Sequence, residues 1–147
     1  MSLIVYKKVD LHYERLQEFE AGIELFGGEV KSLRGKHGSL EGSRIVVRGG
    51  EAFLVGASIP PYQPLNAPTY EPERTRRLLL RKQDIALIAE AESKKGLTVV
   101  PIEMYNKSRN IKLRIAIVRG KGKHDRREDI KKYDAKREAE QAMRGKR

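Results

Sequence analysis

Residues 43–59 read SRIVVRGGEAFLVGASI. Ile45, Val46 and Val47 lie before Gly49-Gly50, and Phe53, Leu54 and Val55 lie after it. β-Branched and aromatic residues favour extended backbone. A Gly-Gly pair supplies the positive φ angles of a two-residue turn, so the stretch predicts an antiparallel hairpin. Working outward, LTVVPIEMYNKSRNIKLRIAIV at 97–118 predicts a second hairpin. There Ile111, Leu113, Ile115 and Ile117 alternate with Lys112 and Arg114, the period of a strand with one buried face. Pro101 lacks an amide donor and belongs at a sheet edge or a bulge.

The remaining segments fit around these hairpins. In residues 12–34, HYERLQEFEAGIELFGGEVKSLR, alternation over Tyr13–Phe19 suggests a strand. Gly22, Gly27 and Gly28 permit sharp bends beyond it, into either a bent strand or a short helix. Residues 60–73, PPYQPLNAPTYEPE, hold five of the six prolines and predict an extended loop inside one domain. Next comes RTRRLLLRKQDIALIAEAESKKG, where Ile85, Leu87, Ile88 and Ala91 form a helical stripe. Lys94-Lys95 complement the helix dipole, and Gly96 suits the residue past a helix end. Short strands, two hairpins and one central helix predict a mostly β fold. The expected form is a small antiparallel barrel of the oligonucleotide-binding (OB) type with helices packed outside.

The 147 residues carry a net charge of +11. Residues 119–147 hold 12 Lys and Arg against 6 Asp and Glu, and residues 1–118 hold 19 against 14. Basicity is therefore global and densest at the end. It points to a polyanionic partner, nucleic acid first and an anionic membrane surface second, or to a solvated basic face. The absence of cysteine excludes disulfides and thiolate metal sites. The apolar stretch in MSLIVYKKVD is too short for a signal peptide, and no apolar run could span a bilayer. The expectation is a soluble cytoplasmic protein with no cofactor, metal or small-molecule substrate.

The chain ends in RGKGKHDRREDIKKYDAKREAEQAMRGKR, 119–147. Helix propensity is good, but Ile130, Tyr133, Ala142 and Met143 make too thin an apolar stripe to dock on a core. Such a tail frays when free and becomes helical against a surface that neutralises its cations; the alternative is a merely solubilising tail. Gly120 and Gly122 space Lys121 and Lys123 ahead of His124-Asp125-Arg126-Arg127, which gives a hinge, a charged cluster and then a helix. Residues 1–118 are thus expected as the barrel and 119–147 as the tail. Enzymatic roles find little support. His12, His37 and His124 show no pairing for acid–base work. GKGKHD lacks the spacing of a phosphate-binding loop, and the carboxylates of RREDIKKYD are interleaved with bases.

Five stretches, FEAGIELFGGEVKSLRGK (19–36), SRIVVRGGEAFLVGASIPPY (43–62), RTRRLLLRKQDI (74–85), GLTVVPIEMYNKSRNIKLRIAIVRGKGKHDRREDIK (96–131) and DAKRE (134–138), occur in an order that resembles the SsrA-binding protein, or small protein B, family of bacterial trans-translation. The resemblance implies an OB-type barrel that binds the elbow of the tRNA-like domain of transfer-messenger RNA. It implies that the protein accompanies this RNA into a stalled ribosome, with the tail in the vacant messenger channel near the decoding site. It places Glu20, Lys31 and Arg34 on the RNA face. The basic run of Arg74, Arg76 and Arg77 is expected to contact RNA, and beside it Leu79 is expected to pack on RNA while its neighbours face inward. In the tail, Gly120, Lys121, Lys123, His124, Asp125, Arg126 and Arg127 are expected to meet the ribosome. His124 would stack on or bond an rRNA base. Asp125 would preset Arg126 or Arg127, or cap the helix that follows. Tyr6 and Val9 stand where the family carries Asn and Ala, and Gly122 and Arg126 where it carries Lys. The rival reading is another OB-type translation factor or ribosomal protein that binds structured RNA.

Overall fold

The computed structural model of the protein describes residues 2–63, 69–121 and 130–139. Both expected hairpins are present. Gly49 and Gly50 adopt φ of 60° and 78° and close β3 (Arg44–Arg48) onto β4 (Glu51–Val55). β6 (Leu97–Lys107) turns through Ser108 and Arg109 into β7 (Asn110–Gly120), pairing Lys107 with Asn110. β1 (Ser2–Val5) pairs with β6 over Glu103–Tyr105, so Pro101 lies past the end of that ladder. It sits at a register shift between Pro101 and Glu103, the bulge being the other place where a missing donor is tolerated.

The ambiguous region resolves into β2 (Tyr13–Ile23) and α2 (Gly27–Arg34), preceded by the single turn α1 (Val9–His12). The helix wins over a bent strand because Glu29 reaches back to accept the Phe26 N–H at 2.8 Å. That bond satisfies a donor at the helix start that otherwise has no intrahelical partner. A strand the sequence did not reveal, β5 (Arg76–Leu79), inserts between β2 and β4. The sheet has seven strands in the order β1-β6-β7-β2-β5-β4-β3, all pairings antiparallel.

β3, at one end of this order, packs against β6, and α3 (Lys82–Ser93) packs on both. The expected mostly β fold with packed helices is present. The hydrogen-bonded ladder that would close it into a barrel is not found among the described residues. In α3, Ile88 and Ala91 are buried, Ile85 is half-buried and Leu87 is 39% exposed. Leu87 thus leaves the expected stripe, because it lies about 100° around the helix from Ile88. In β7 the alternation stops at Ile115. Ala116 and Val118 are as buried as Ile115, since this central strand is covered on both faces.

β7 continues through Gly120, and the Lys121 N–H donates to the His12 carbonyl at 2.9 Å. The expected boundary after Val118 therefore falls inside the strand. Tyr6 and Val9 are buried, and the Tyr6 N–H donates to the Ile102 carbonyl at 2.8 Å. Residues 130–139 form α4, exposed except for half-buried Tyr133, whose ring has the Arg137 guanidinium 5.9 Å from its centre. Lys123, His124, Asp125, Arg126 and Arg127 lie outside the described residues.

Candidate nucleic-acid interface

Strand geometry divides the basic run. Successive residues of β5 point to opposite faces. Arg76 and Leu78 are buried, while Arg77 is half-buried and Leu79 exposed. Arg76, expected on the RNA face, is 0% exposed and has no surface to offer. Its Nε and Nη2 donate to Glu29 Oε2 at 2.9 and 2.7 Å. Its Nη1 donates to the Ala57 carbonyl at 2.8 Å, and Nη2 also to the Pro72 carbonyl at 2.8 Å. Arg74, also expected to face RNA, is mostly drawn into the same cluster. Its Nε donates to Glu29 Oε2 at 3.0 Å, its Nη2 pairs with Oε1, and its guanidinium lies 3.9 Å over the Phe26 ring. The Tyr70 hydroxyl, 2.8 Å from Glu29 Oε2, completes it.

Burial by itself would raise the Glu29 carboxyl. The bonds from Arg74, the Phe26 N–H, Arg76 and Tyr70 outweigh burial and hold it below the usual carboxylate range. Burial and the neighbouring Glu29 push Tyr70 up. The EVKSLR and RTRR stretches are therefore two halves of one internal ion cluster, with Glu29 as its centre.

The outward face is different. Leu79 is 48% exposed. It pairs across the ladder with Gly22, where a Cβ would stand 3.1 Å from the Leu79 Cβ. Gly22 is thus a close approach rather than the bend its sequence suggests. Two open clefts, of about 310 and 610 Å³, flank Leu79 and share Gly22 and Lys112 in their walls. Arg34 and Arg109 line the first, and Glu20 and Arg81 the second. Arg34 is fixed by its Nη2 donating to the Arg109 carbonyl at 3.1 Å.

Glu20 accepts from the Tyr105 hydroxyl and from Lys107 Nζ, the latter at 2.9 Å. Those two bonds lower its carboxyl. Burial and then Glu20 push Tyr105 up to about 12. Lys31 lies elsewhere, in a third cleft with Phe26 and Tyr62, its Nζ 5.3 Å from the Tyr62 ring centre. The Arg77 side chain is 41% exposed and pairs with Glu24 at 2.8 Å and Glu51 at 3.3 Å. Gly120 ends β7 opposite Tyr13, eight residues along the strand from Lys112 beside Leu79, and Lys121 follows it. The structure thus brings Glu20, Arg34 and Leu79 together, leaves Arg77 on the same face of β5 as Leu79 but paired with Glu24 and Glu51, and separates Arg74, Arg76 and Lys31 from them.

Sequence reading missed Gly22, Arg81, Arg109 and Lys112 as site residues. A glycine inside a strand pattern flags close backbone approach, and that was the available signal for Gly22. The other three became legible only when β2, β5 and β7 were set side by side.

An apolar knob between cations, with a carboxylate nearby, suits RNA. In such an arrangement cations can meet phosphates, an exposed apolar side chain can pack on a sugar or base, and a carboxylate can accept from a 2′-OH or base edge. Among the described residues, no group of three His, Asp or Glu side chains could hold a metal ion. No described helix is long and apolar enough to cross a membrane. Such a surface fits a β-sheet RNA-binding module.

The comparisons with known proteins agree. The family model described as SmpB protein matches residues 3–145. The SsrA-binding protein of Oleidesulfovibrio alaskensis is 44% identical over 138 residues, 93% of this chain and 89% of that protein. The SsrA-binding protein of Persephonella marina is 38% identical over 99% of this chain and 97% of its own length. A chain of the solved structure "tmRNA-SmpB: a journey to the center of the bacterial ribosome" matches with a TM-score of 0.65 and 35% identity, over 80% of this chain and 87% of that one. The chain belongs to the SmpB family, whose members are RNA-binding proteins and not enzymes.

Proposed function

We propose that the protein binds the tRNA-like domain of transfer-messenger RNA and carries it to stalled ribosomes in the cytoplasm for trans-translation. Relatives named for SsrA binding support this reading, as does the tmRNA–SmpB structure that the chain resembles. The observation that carries it within this molecule is Leu79, an apolar side chain 48% exposed beside Lys112, Arg34 and Arg81. RNA contact at this face runs through Leu79, Glu20 and Arg34. Arg77 adds charge nearby, Arg74 and Arg76 act by holding α2 to β5, and Lys31 serves a separate cleft. The packing of β3 on β6 supports an OB-type barrel as the underlying form.

A gel shift with the tRNA-like domain, with tRNA as competitor, tests the assignment. Affinity should fall steeply with salt as cations release phosphate counterions. A flat salt response, or equal competition by bulk tRNA, would count against it. The tail from Gly120 onward, with Lys121, Lys123, His124, Asp125, Arg126 and Arg127, acts on the ribosome. A chain cut after Lys121, which spares β7, should bind the RNA and fail in a stalled-ribosome tagging assay. Equal tagging by cut and full-length protein would leave the tail a solubilising segment.

A further inference from the structure

On the other side of α2 lies a cleft that the Leu79 face does not use. Phe26 and Tyr62 are 58% and 55% exposed, and both rings line this opening of about 330 Å³. Arg74 stands over Phe26 at 3.9 Å, yet Phe26 remains largely exposed. Lys31 lines the cleft beside Tyr62. Gly28 also lines it, and a Cβ there would meet nothing within 4 Å. The carboxylate among the lining residues, Glu29, is already answered by Arg74 and Arg76. The cleft therefore offers two exposed aromatic rings and, with its Nζ 5.3 Å from the Tyr62 ring centre, one cation, with no uncompensated negative charge. Aromatic faces beside a basic group stack nucleobases while the cation holds the backbone. An acidic peptide would use Lys31 and leave both rings idle.

We propose that this cleft stacks one unpaired base of the same RNA that binds at Leu79, with Lys31 on its phosphate and the strand passing over α2. The inference rests on the RNA-binding reading above. The chain has no tryptophan, so 2-aminopurine fluorescence is read without tryptophan background. Full-length protein is titrated into the tRNA-like domain with 2-aminopurine placed in turn at unpaired positions. One position should change its fluorescence on binding. Phe26→Leu and Tyr62→Leu should each abolish that change and weaken affinity on the order of tenfold. Tyr62→Phe, which keeps the ring, should retain both. Leu79→Ala should weaken binding yet keep the fluorescence change at saturation. Urea unfolding of each variant separates lost stacking from lost folding; should Phe26→Leu unfold early, Tyr62→Leu and Tyr62→Phe decide. If the wild type binds and no position responds to either ring, the stacking cleft is refuted and the Leu79 reading stands. If the wild type does not bind this RNA, both fall.

Discussion

Glu29 and Glu20 have nearly the same kinds of partner in opposite surroundings. Each is bonded to a tyrosine hydroxyl and to cationic side chains. The Glu29 side chain is 1% exposed and faces Arg74 and Arg76, while that of Glu20 is 39% exposed and faces Lys107. Inside the protein no water can answer a stranded charge, so removal of one partner leaves the other unpaired at large cost. At the surface water takes over, and the Glu20 carboxylate stays accessible, as the proposed RNA contact requires. Burial, more than residue type, separates a lock from a contact.

The largest expected effect breaks the lock. Glu29→Gln leaves Arg76 buried without its counter-charge and should destabilise the fold by about 3–5 kcal/mol. The urea midpoint reads this directly, and a midpoint equal to wild type would erase the distinction between the two glutamates. Arg76→Ala should behave similarly, whereas Arg77→Ala, on the outward face of β5, should leave the midpoint nearly unchanged.

Acid sharpens the same contrast. The folded Glu29 carboxyl lies below its unfolded value, ordinarily about 4.3. Its stabilisation is whole above that value and is lost as pH falls through the lower folded one. The acid limb of the stability curve should therefore flatten in Glu29→Gln. An unchanged limb would assign acid sensitivity to other carboxylates.

Surface changes should move RNA affinity with little effect on stability. Leu79→Ala should weaken binding to the tRNA-like domain about tenfold, the scale of one lost apolar side-chain burial. Its stability should stay within about 0.5 kcal/mol of wild type. Unaltered affinity would remove Leu79 from the interface. The smallest effect is expected from Glu20→Gln: a few-fold change in affinity at constant urea midpoint, consistent with a hydrogen-bonding role that an amide partly retains. A large drop in midpoint would make Glu20 a second lock.

Local chemistry alone determined several features. Gly49-Gly50 and the Ile111–Ile117 alternation specify hairpins because turn dihedrals and strand period are properties of neighbouring residues. Net charge indicated a polyanionic partner for the same reason, being a sum over residues. The strand β5 was not legible, because Arg76-Arg77-Leu78-Leu79 reads as two polar then two apolar residues while the structure alternates inside and outside. That alternation depends on Glu29, 47 residues away in the chain, being there to receive a buried guanidinium. Only tertiary structure decided which arginines of the basic run are structural and which meet solvent. It alone also set Gly22, Leu79 and Lys112 side by side, since their strands meet through ladder pairings between residues far apart in the chain.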